Sequence, residues 1–266
     1  MAQFENKVVW ITGASSGIGE ALAVAFAAHG ARLVLSARRE EELNRVKDSL
    51  GLATDRVLVL PMDVTDFESL AAKTQAVVAA FGQIDIMVHN AGVSQRARVE
   101  DTDLSVYQKL MDVNFFSIVA LTKAVLPIMK KQQSGHFVMI SSVAGKVGTI
   151  KRSGYNAAKH ALIGFSDSLR AEVYDDNMFV TVVCPGYIKT NISVNALQGD
   201  GSPQNKIDQD FAKGLEPELL AQKVLTAIRN KTNELVVAGA KETAAVWLRR
   251  LWPNLLFTMV RRTPPK

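Results

Sequence analysis

The stretch VVWITGASSGIGEALAVAF, residues 8–26, decides the fold. Four apolar residues precede a glycine-rich turn, and a run of helix-forming residues follows it directly. This order brings unpaired backbone N–H groups and the positive end of a helix dipole to one point, which suits a pyrophosphate. The spacing G-x-x-x-G-x-G is a variant of the dinucleotide fingerprint, and an ordinary strand-to-helix turn is the competing interpretation. The loop residues predicted to contact the nucleotide are Gly13, Ser15, Ser16, Gly17, Ile18 and Gly19.

A second group of residues has the spacing of a catalytic site. Tyr155 and Lys159 lie four residues apart in a helical pattern, so their side chains share one helix face. Ser142 ends a strand-like run thirteen residues before Tyr155. Asn114 lies inside a long helical pattern although asparagine is a poor helix former. The pattern Tyr-x-x-x-Lys alone is common by chance, but its combination with Ser142, Asn114 and the glycine loop indicates a catalytic site.

Together with HNAG at 89–92 and PGYIKT at 185–190, these motifs resemble the short-chain dehydrogenase/reductase family. The resemblance runs from about Lys7 to Val237 in the same order and spacing. It implies an oxidoreductase that interconverts ketones or aldehydes with alcohols by hydride transfer from a nicotinamide cofactor. It also implies a homodimer or homotetramer that forms through the long helices containing Asn114 and Tyr155.

Carbonyl reduction assigns a role to each residue of this group, because a hydride must reach carbon and a proton must reach oxygen. Tyr155 is the predicted proton donor and acceptor, and the ammonium of Lys159 is expected to lower its pKa. Ser142 is expected to donate a hydrogen bond to the substrate oxygen. The resemblance places Asn114 in a water relay leading to Lys159, and it makes Lys159 hold the nicotinamide ribose.

The end of the second predicted strand indicates which nicotinamide cofactor fits. A carboxylate there would bind the ribose hydroxyls of NAD, whereas arginine would pair with the 2′-phosphate of NADP. No carboxylate precedes Glu40, and Arg38 occupies the position, so we predict NADP(H) with Ser36 and Arg39 as helpers. The alternative is that Arg38 and Arg39 are solvated cations beside the glutamates at 40–42.

The resemblance implies further cofactor contacts. Asp63 with Val64 would contact the adenine, although Asp63 could instead cap a helix that begins near Asp66. His89 stands where the family has asparagine, and we expect a neutral histidine that nearby backbone satisfies rather than a catalytic one. The remaining predicted contacts are a close approach at Asn90, Ala91 and Gly92, a turn under the nicotinamide at Pro185 and Gly186, and the carboxamide site at Ile188 and Thr190.

Apolar runs and helical segments alternate seven times along the chain, which predicts a Rossmann-type doubly wound parallel sheet of about seven strands with helices on both faces. Its ligand crevice should lie at the carboxyl ends of the strands. Strands are predicted at 8–12, 32–36, 57–60, 84–89, 136–141, 179–184 and 234–238. Helices are predicted at 17–29, 40–50, 67–81, 105–132, 154–174 and 217–230.

Composition bounds the remaining possibilities. With 266 residues, 48% hydrophobic and 21% charged, we expect one catalytic domain over 1–240, including a mobile substrate flap at 191–216. The single cysteine, Cys184, excludes an intramolecular disulfide, and no metal site is predicted. The short polar N-terminus and the lack of an uncharged apolar run of 18 residues predict a cytoplasmic chain. The scattered net charge of +5 suits an anionic cofactor rather than nucleic acid.

The C-terminal extension at 241–266 is amphipathic. Apolar residues recur at helical spacing, with Trp247 and Trp252 beside paired arginines. Such a segment suits peripheral membrane contact, a subunit contact or a lid over an apolar substrate. We therefore expect a bulky hydrophobic substrate, with a 3-oxoacyl thioester reductase as the alternative enzyme. A non-catalytic NADPH-binding regulatory or scaffold protein is the alternative of another class, which intact Ser142, Tyr155 and Lys159 disfavour.

Overall fold

The computed structural model describes residues 4–262, which are built around one seven-stranded sheet. All paired strands are parallel, in the order β3-β2-β1-β4-β5-β6-β7. The order reverses between β1 and β4, which is where a doubly wound sheet opens its ligand crevice. The strands are Val8–Thr12 (β1), Arg32–Ser36 (β2), Val57–Val59 (β3), Ile86–His89 (β4), Gly135–Ile140 (β5), Met178–Pro185 (β6) and Glu234–Val237 (β7).

Helices cover both faces of the sheet and confirm the predicted Rossmann-type architecture. One apolar core lies between the sheet and α1, α2 and α8, and the other lies under α3, α5 and α6. The central strands are buried on both faces, which explains their continuous apolar sequence. The helices are Gly17–Ala28 (α1), Glu40–Ser49 (α2), Leu70–Phe81 (α3), Leu104–Met111 (α4), Ser117–Gln132 (α5), Ser153–Glu172 (α6), Gln209–Ala212 (α7), Pro217–Arg229 (α8), Ala240–Leu251 (α9) and Pro253–Arg262 (α10).

The helix predicted over 105–132 is interrupted in the structure. A π-helical turn, Asp112–Phe116, separates α4 from α5. By length and composition alone, the segment Leu104–Gln132 is apolar enough to cross a membrane. Here it connects the paired parallel strands β4 and β5, and its apolar side chains enter the core beside β5.

Two segments beyond β6 border the crevice. The predicted flap at 191–216 consists of turns and the short helix α7, and isolated bridges tie it to the body at Gln95–Leu197 and Ile188–Leu215. The C-terminal extension forms α9 and α10. The predicted domain limits also include residues 1–3 and 263–266, which lie outside the described residues.

Candidate active site

A cleft of about 1920 Å³ opens at the carboxyl ends of the strands, and residues from distant parts of the sequence line it. The glycine loop, the ends of β4 and β5, the start of α6 and the segment after β6 all contribute to its walls. Nineteen of the predicted site residues line this cleft: Gly13, Ser15, Ser16, Gly17, Ile18, Arg38, Arg39, Asp63, Val64, Asn90, Ala91, Gly92, Ser142, Tyr155, Lys159, Pro185, Gly186, Ile188 and Thr190.

The glycines of the first loop have two different roles. Gly13 and Gly17 have φ of +66° and +58°, in the left-handed region that glycine adopts most readily. A Cβ at Gly17 would lie 2.9 Å from Cγ2 of Thr190 on the opposite wall. Gly19 does not line the cleft, and a Cβ there would lie 2.1 Å from the carbonyl oxygen of Gly13. Gly19 therefore allows α1 to pack closely against the turn rather than facing the cleft.

Thr12 joins the glycine loop to the end of β4. Its hydroxyl accepts hydrogen bonds from the backbone N–H groups of Asn90 and Ala91, at 3.0 and 3.1 Å. The Asn90 side chain returns two bonds, to the carbonyls of Thr12 and Gly13, at 2.9 and 3.1 Å. These bonds fix the two strand ends on either side of the point where the strand order reverses.

His89 is a buried structural residue. Burial lowers its pKa to about 3, so it is neutral. Its Nε2 forms a 3.1 Å hydrogen bond with the Thr122 hydroxyl, and its ring stacks on Phe137. A side-chain hydroxyl thus satisfies the histidine, where the sequence suggested nearby backbone.

At the nucleotide end of the cleft, Arg38 and Arg39 are exposed. Within residues 4–262 Arg38 forms no ion pair, and its positive charge reaches Asp63. Burial disfavours the ionised form of Asp63, but hydrogen bonds from Thr65 and the charges of Arg38 and Lys109 outweigh it and lower the pKa.

Two expectations at this end require correction. The Asp63 carboxylate accepts bonds from the backbone and hydroxyl of Thr65, and α3 begins only at Leu70, so the helix-cap interpretation is wrong. Ser36 does not line the cleft, since it is fully buried and its Oγ accepts a 2.9 Å hydrogen bond from Nε1 of Trp10. This bond holds the Ser36 hydroxyl against the buried Trp10 indole rather than in the cleft wall.

Helix α6 presents Tyr155 and Lys159 to the cleft next to the end of β5. The Nζ of Lys159 lies 5.8 Å from the centre of the Tyr155 ring and donates to the carbonyl of Ile140 at 2.9 Å. Ser142 accepts a 3.1 Å bond from the Ala144 N–H and donates to the Pro185 carbonyl at 3.3 Å. The hydroxyl, the phenol and the ammonium therefore meet at one wall.

The pKa values of these groups differ from the simple expectation. Burial raises the pKa of Tyr155, while a hydrogen bond with Ser142 and the charges of Arg152 and Arg96 act in the opposite direction. Burial lowers the pKa of Lys159 to about 8. We predicted that Lys159 lowers the pKa of Tyr155, but in the protein alone this pKa is raised because the effect of burial is the largest. The ammonium of Lys159 donates to a backbone carbonyl instead of the phenol.

Asn114 lies behind the cleft rather than in its wall. Its side chain accepts from the Val93 N–H at 3.2 Å and donates to the carbonyls of Val93 and Leu110, at 3.0 and 2.9 Å. A Cβ at Gly92 would lie 2.9 Å from Oδ1 of Asn114 and 3.6 Å from Nζ of Lys159. Asn114 and Lys159 therefore both border the space that a side chain at position 92 would occupy.

Comparison with known proteins identifies the family of this chain. Residues 7–200 match the family model described as short chain dehydrogenase. The chain belongs to the short-chain dehydrogenase/reductase family. A "Dehydrogenase/reductase SDR family protein 7-like" from Drosophila melanogaster is 46% identical over 99% of this chain and 82% of its own length. A "Dehydrogenase/reductase SDR family member 7B" from Xenopus tropicalis is 43% identical over 97% and 86%.

A solved short-chain dehydrogenase/reductase from Burkholderia phymatum, in complex with NAD, superposes with a TM-score of 0.85 at 26% identity. The match covers 100% of this chain and 99% of that one. Family membership makes the chain an oxidoreductase of the dehydrogenase/reductase type, on a fold that binds a nicotinamide cofactor. These matches confirm the family resemblance that we inferred from the motifs.

Several residues of this short-chain dehydrogenase/reductase cleft were missed from the sequence. Arg152 lies three residues before Tyr155, directly before the first residue of α6, and this closeness in sequence was a usable signal. The residues contributed by the flap and the C-terminal extension have no motif, because only the tertiary fold brings them to the cleft. The missed residues that line the cleft include Arg96, Arg152, Tyr187, Asp208, Phe211, Leu256 and Val260.

Proposed function

We propose that this family member is an NADP(H)-dependent oxidoreductase that interconverts a bulky hydrophobic ketone or aldehyde with its alcohol. The observation that carries the proposal is the meeting of Tyr155, Ser142 and Lys159 at one wall of a cleft whose other end is the glycine loop. A protein that only binds a nucleotide has no need for a buried phenol beside a buried ammonium. The presence of both groups therefore argues against the regulatory or scaffold alternative.

The residues present fit a dinucleotide. A Cβ at Gly13 would lie 2.9 Å from Nδ2 of Asn90, and one at Gly17 would lie 2.9 Å from Cγ2 of Thr190. Glycine at both positions therefore keeps the loop backbone close to its surroundings, as a backbone cradle for a pyrophosphate requires. The volume of about 1920 Å³ is larger than an ordinary small-molecule pocket, so a cofactor and a substrate fit together. A nicotinamide held beside Tyr155 would supply or accept the hydride.

The chain's own residues would handle the proton. The Tyr155 hydroxyl would donate its proton to the substrate oxygen, and Ser142 would hold that oxygen by a hydrogen bond. A raised pKa keeps the phenol protonated at neutral pH, so in reduction Tyr155 begins as the acid. Lys159 would hold the nicotinamide ribose and return the proton through a relay that Asn114 helps to position.

The preference for NADP(H) depends on Arg38. The family neighbour from Burkholderia is a complex with NAD, so family membership leaves the choice of cofactor open. Arg38 is exposed at the nucleotide end, and Glu42 pairs with Arg45 rather than with Arg38. Its guanidinium is therefore available for a 2′-phosphate, with Arg39 adjacent to it.

The apolar substrate is supported by the C-terminal extension. Leu256 and Val260 of α10 line the cleft, as a lid over a hydrophobic ligand requires. This wall also accommodates the alternative substrate class, a 3-oxoacyl thioester. A cytoplasmic homo-oligomer formed through α4, α5 and α6, with peripheral membrane contact through the outer face of the extension, completes the proposal. The exposed Phe116 side chain lies on the proposed subunit face.

The test is Tyr155→Phe, assayed by NADPH absorbance with a panel of ketones, aldehydes and acyl thioesters. Turnover should fall below a few per cent of wild type while NADPH fluorescence titration shows unchanged binding. Tyr174→Phe, at an exposed tyrosine remote from the cleft, is the matched control and should leave both measurements unchanged. A Tyr155→Phe protein that retains substantial turnover would refute the assigned proton donor.

A further inference from the structure

Two arginines line the substrate side of the cleft, and among residues 4–262 a single carboxylate, that of Asp208, forms ion pairs with them. Arg96 follows β4, and Arg152 immediately precedes α6. Both side chains are largely buried, at 8% and 16% exposure, and both contact Asp208 of the flap. Two guanidinium groups against one carboxylate leave a net positive charge in a part of the cleft with little access to water.

The two arginines differ in how their donors are used. Arg96 donates from Nε to Asp208 Oδ2 at 2.7 Å, and from Nη1 to the Ser94 hydroxyl at 3.0 Å and the Gln95 carbonyl at 2.6 Å. Arg152 approaches Asp208 Oδ2 only to 4.0 Å. Over residues 4–262 the Arg152 guanidinium donates no hydrogen bond. Arg96 is therefore held in place, whereas the N–H groups of Arg152 are available to bind a ligand.

Aromatic rings hold the Arg152 guanidinium in position. Its Cζ lies 5.5 Å from the centre of the Tyr187 ring and 5.8 Å from that of Phe211. These rings meet edge to face with centres 5.0 Å apart. Since the flat guanidinium is already oriented, little side-chain freedom would be lost when it binds a ligand.

The positive charges of Arg96 and Arg152 also act on Tyr155, the proposed proton donor. Both arginines are close enough to Tyr155 for their charge to lower its pKa. Arg152 is the N-cap residue of α6, three positions before Tyr155, and both residues line the cleft. A group bound by Arg152 would therefore lie near the reacting carbonyl rather than at the far end of a long substrate.

We propose that Arg152, with Arg96 behind it, binds an oxyanion carried by the substrate close to the reacting carbonyl. The substrate class is then an apolar ketone or alcohol that also bears a carboxylate or a phosphate, since both groups match the donor fork of arginine. This inference rests on the proposed function and refines its substrate. The apolar body would contact Leu256 and Val260 while the anion pairs with Arg152.

The first experiment compares charged and neutral probes that share one carbon skeleton. The carboxylate pair is 4-oxodecanoate with its methyl ester, and the phosphate pair is 1-hydroxydecan-2-one phosphate with the free hydroxyketone. Wild type should prefer the charged member of at least one pair by roughly tenfold or more in kcat/KM, as a charge-assisted hydrogen bond predicts. The pair with the larger preference identifies the oxyanion. A wild type that prefers neither charged probe overturns the proposal.

Variants separate ligand binding from support of the flap. Arg152→Gln should lower kcat/KM for the charged probe at least roughly tenfold more than for its neutral partner, which abolishes the preference, and Arg152→Lys should restore part of it. Arg98→Gln removes an exposed cation near Arg96 and should retain the full preference. If Arg152→Gln slows both members of a pair equally, the arginine only holds Asp208 and the flap in place, and the proposal is wrong.

A binding measurement keeps this proposal separate from the proposed function. Calorimetric titration of the NADPH-saturated protein with decanoate, decyl phosphate and decanol requires no turnover. At least one anion should bind roughly tenfold or more tightly than decanol, and Arg152→Gln should remove the difference. Lack of turnover with every probe would refute the proposed reaction on a bulky hydrophobic ketone, whereas equal affinities for the anions and the alcohol would refute the oxyanion site alone.

Discussion

At the scale of single residues, Arg38 provides the sharpest test of cofactor choice. Arg38→Asp places a carboxylate where NADP would carry its 2′-phosphate, so that phosphate should be repelled and the ribose hydroxyls of NAD accepted. We expect kcat/KM to fall at least roughly 100-fold for NADPH and to rise for NADH, since a charge-assisted pair is lost and a repulsion added. Steady-state kinetics with both cofactors measures the effect.

The control for Arg38 is Arg229→Asp, which makes the same change of charge at the exposed C-terminal end of α8. It should leave the ratio of the two cofactor efficiencies unchanged. An unchanged ratio in Arg38→Asp itself would mean that Arg38 is a solvated cation and that another group selects the cofactor.

Lys159 gives a prediction about stability and pH. Its pKa is about 8 in the folded protein and 10.5 as an ordinary lysine, so between these values the unfolded chain holds a proton that the folded chain has released. Stability should therefore rise with pH across this window, by about 3 kcal/mol in total. Urea unfolding from pH 7 to pH 11 should show wild type gaining this amount relative to Lys159→Met.

Lys223→Met makes the same replacement at an exposed lysine of α8 and should follow the wild-type pH profile. Parallel profiles for wild type and Lys159→Met would show that the buried ammonium costs nothing to charge. The direction of the Lys159 difference matters as much as its size, because a lysine stabilised by a partner would produce the opposite slope.

Site residues could be predicted from the sequence where their spacing alone determines their relative positions. Tyr155, Lys159 and Ser142 share a wall because a helix turn and a strand end leave little freedom. Ser36 could not be placed in this way, since its orientation depends on the Trp10 indole, which is 26 positions away in the sequence. The raised pKa of Tyr155 was equally hidden, because burial comes from the whole fold.

At the scale of elements, the π-helical turn Asp112–Phe116 shows what periodicity misses. The pattern predicted one continuous helix, and one widened turn hardly alters the apolar spacing. The turn carries Asn114, whose amide satisfies both backbone groups of Val93 at the crevice edge. The local widening places a helix side chain where it completes the hydrogen bonding of a loop.

Asn114→Ala should therefore destabilise the protein, because the Val93 N–H and C=O both lose their side-chain partner. We expect a loss of about 2–4 kcal/mol in the free energy of unfolding, measured with urea. Asn156→Ala is the matched control, since this buried helix asparagine donates a single bond, to the Thr149 carbonyl. It should lose less, and equal losses would contradict the assigned role of Asn114.

At the scale of the whole molecule, the alternation of strands and helices was sufficient to predict the sheet, its parallel strands and the position of the crevice. The walls added after β6 were not predictable in the same way. Asp208 and Phe211 lie in a flap without periodicity, and Leu256 comes from α10, more than forty positions further along the sequence. Their convergence is a property of tertiary packing, which is why the sequence indicated the reaction better than the substrate.

The C-terminal extension supports a last prediction at this scale, because its two faces differ. Leu256 lies in the cleft wall, whereas Trp247 and Trp252 are 60% and 62% exposed on the outside. Arginines at 249, 250, 261 and 262 accompany them, as expected for a helix at an anionic lipid surface. Since truncation after Lys241 would also open the cleft, substitutions on the outer face are the cleaner test.

The double variant Trp247→Gln with Trp252→Gln should lower partition onto anionic vesicles at least roughly tenfold, because two interfacial indoles are lost. Sedimentation with vesicles measures this, and turnover of a soluble ketone should not change. Phe67→Gln with Tyr174→Gln removes two exposed aromatic residues elsewhere and should partition like wild type. If wild type does not sediment with vesicles, and its self-association is lost in the Trp247 and Trp252 variant, the outer face is a subunit contact instead.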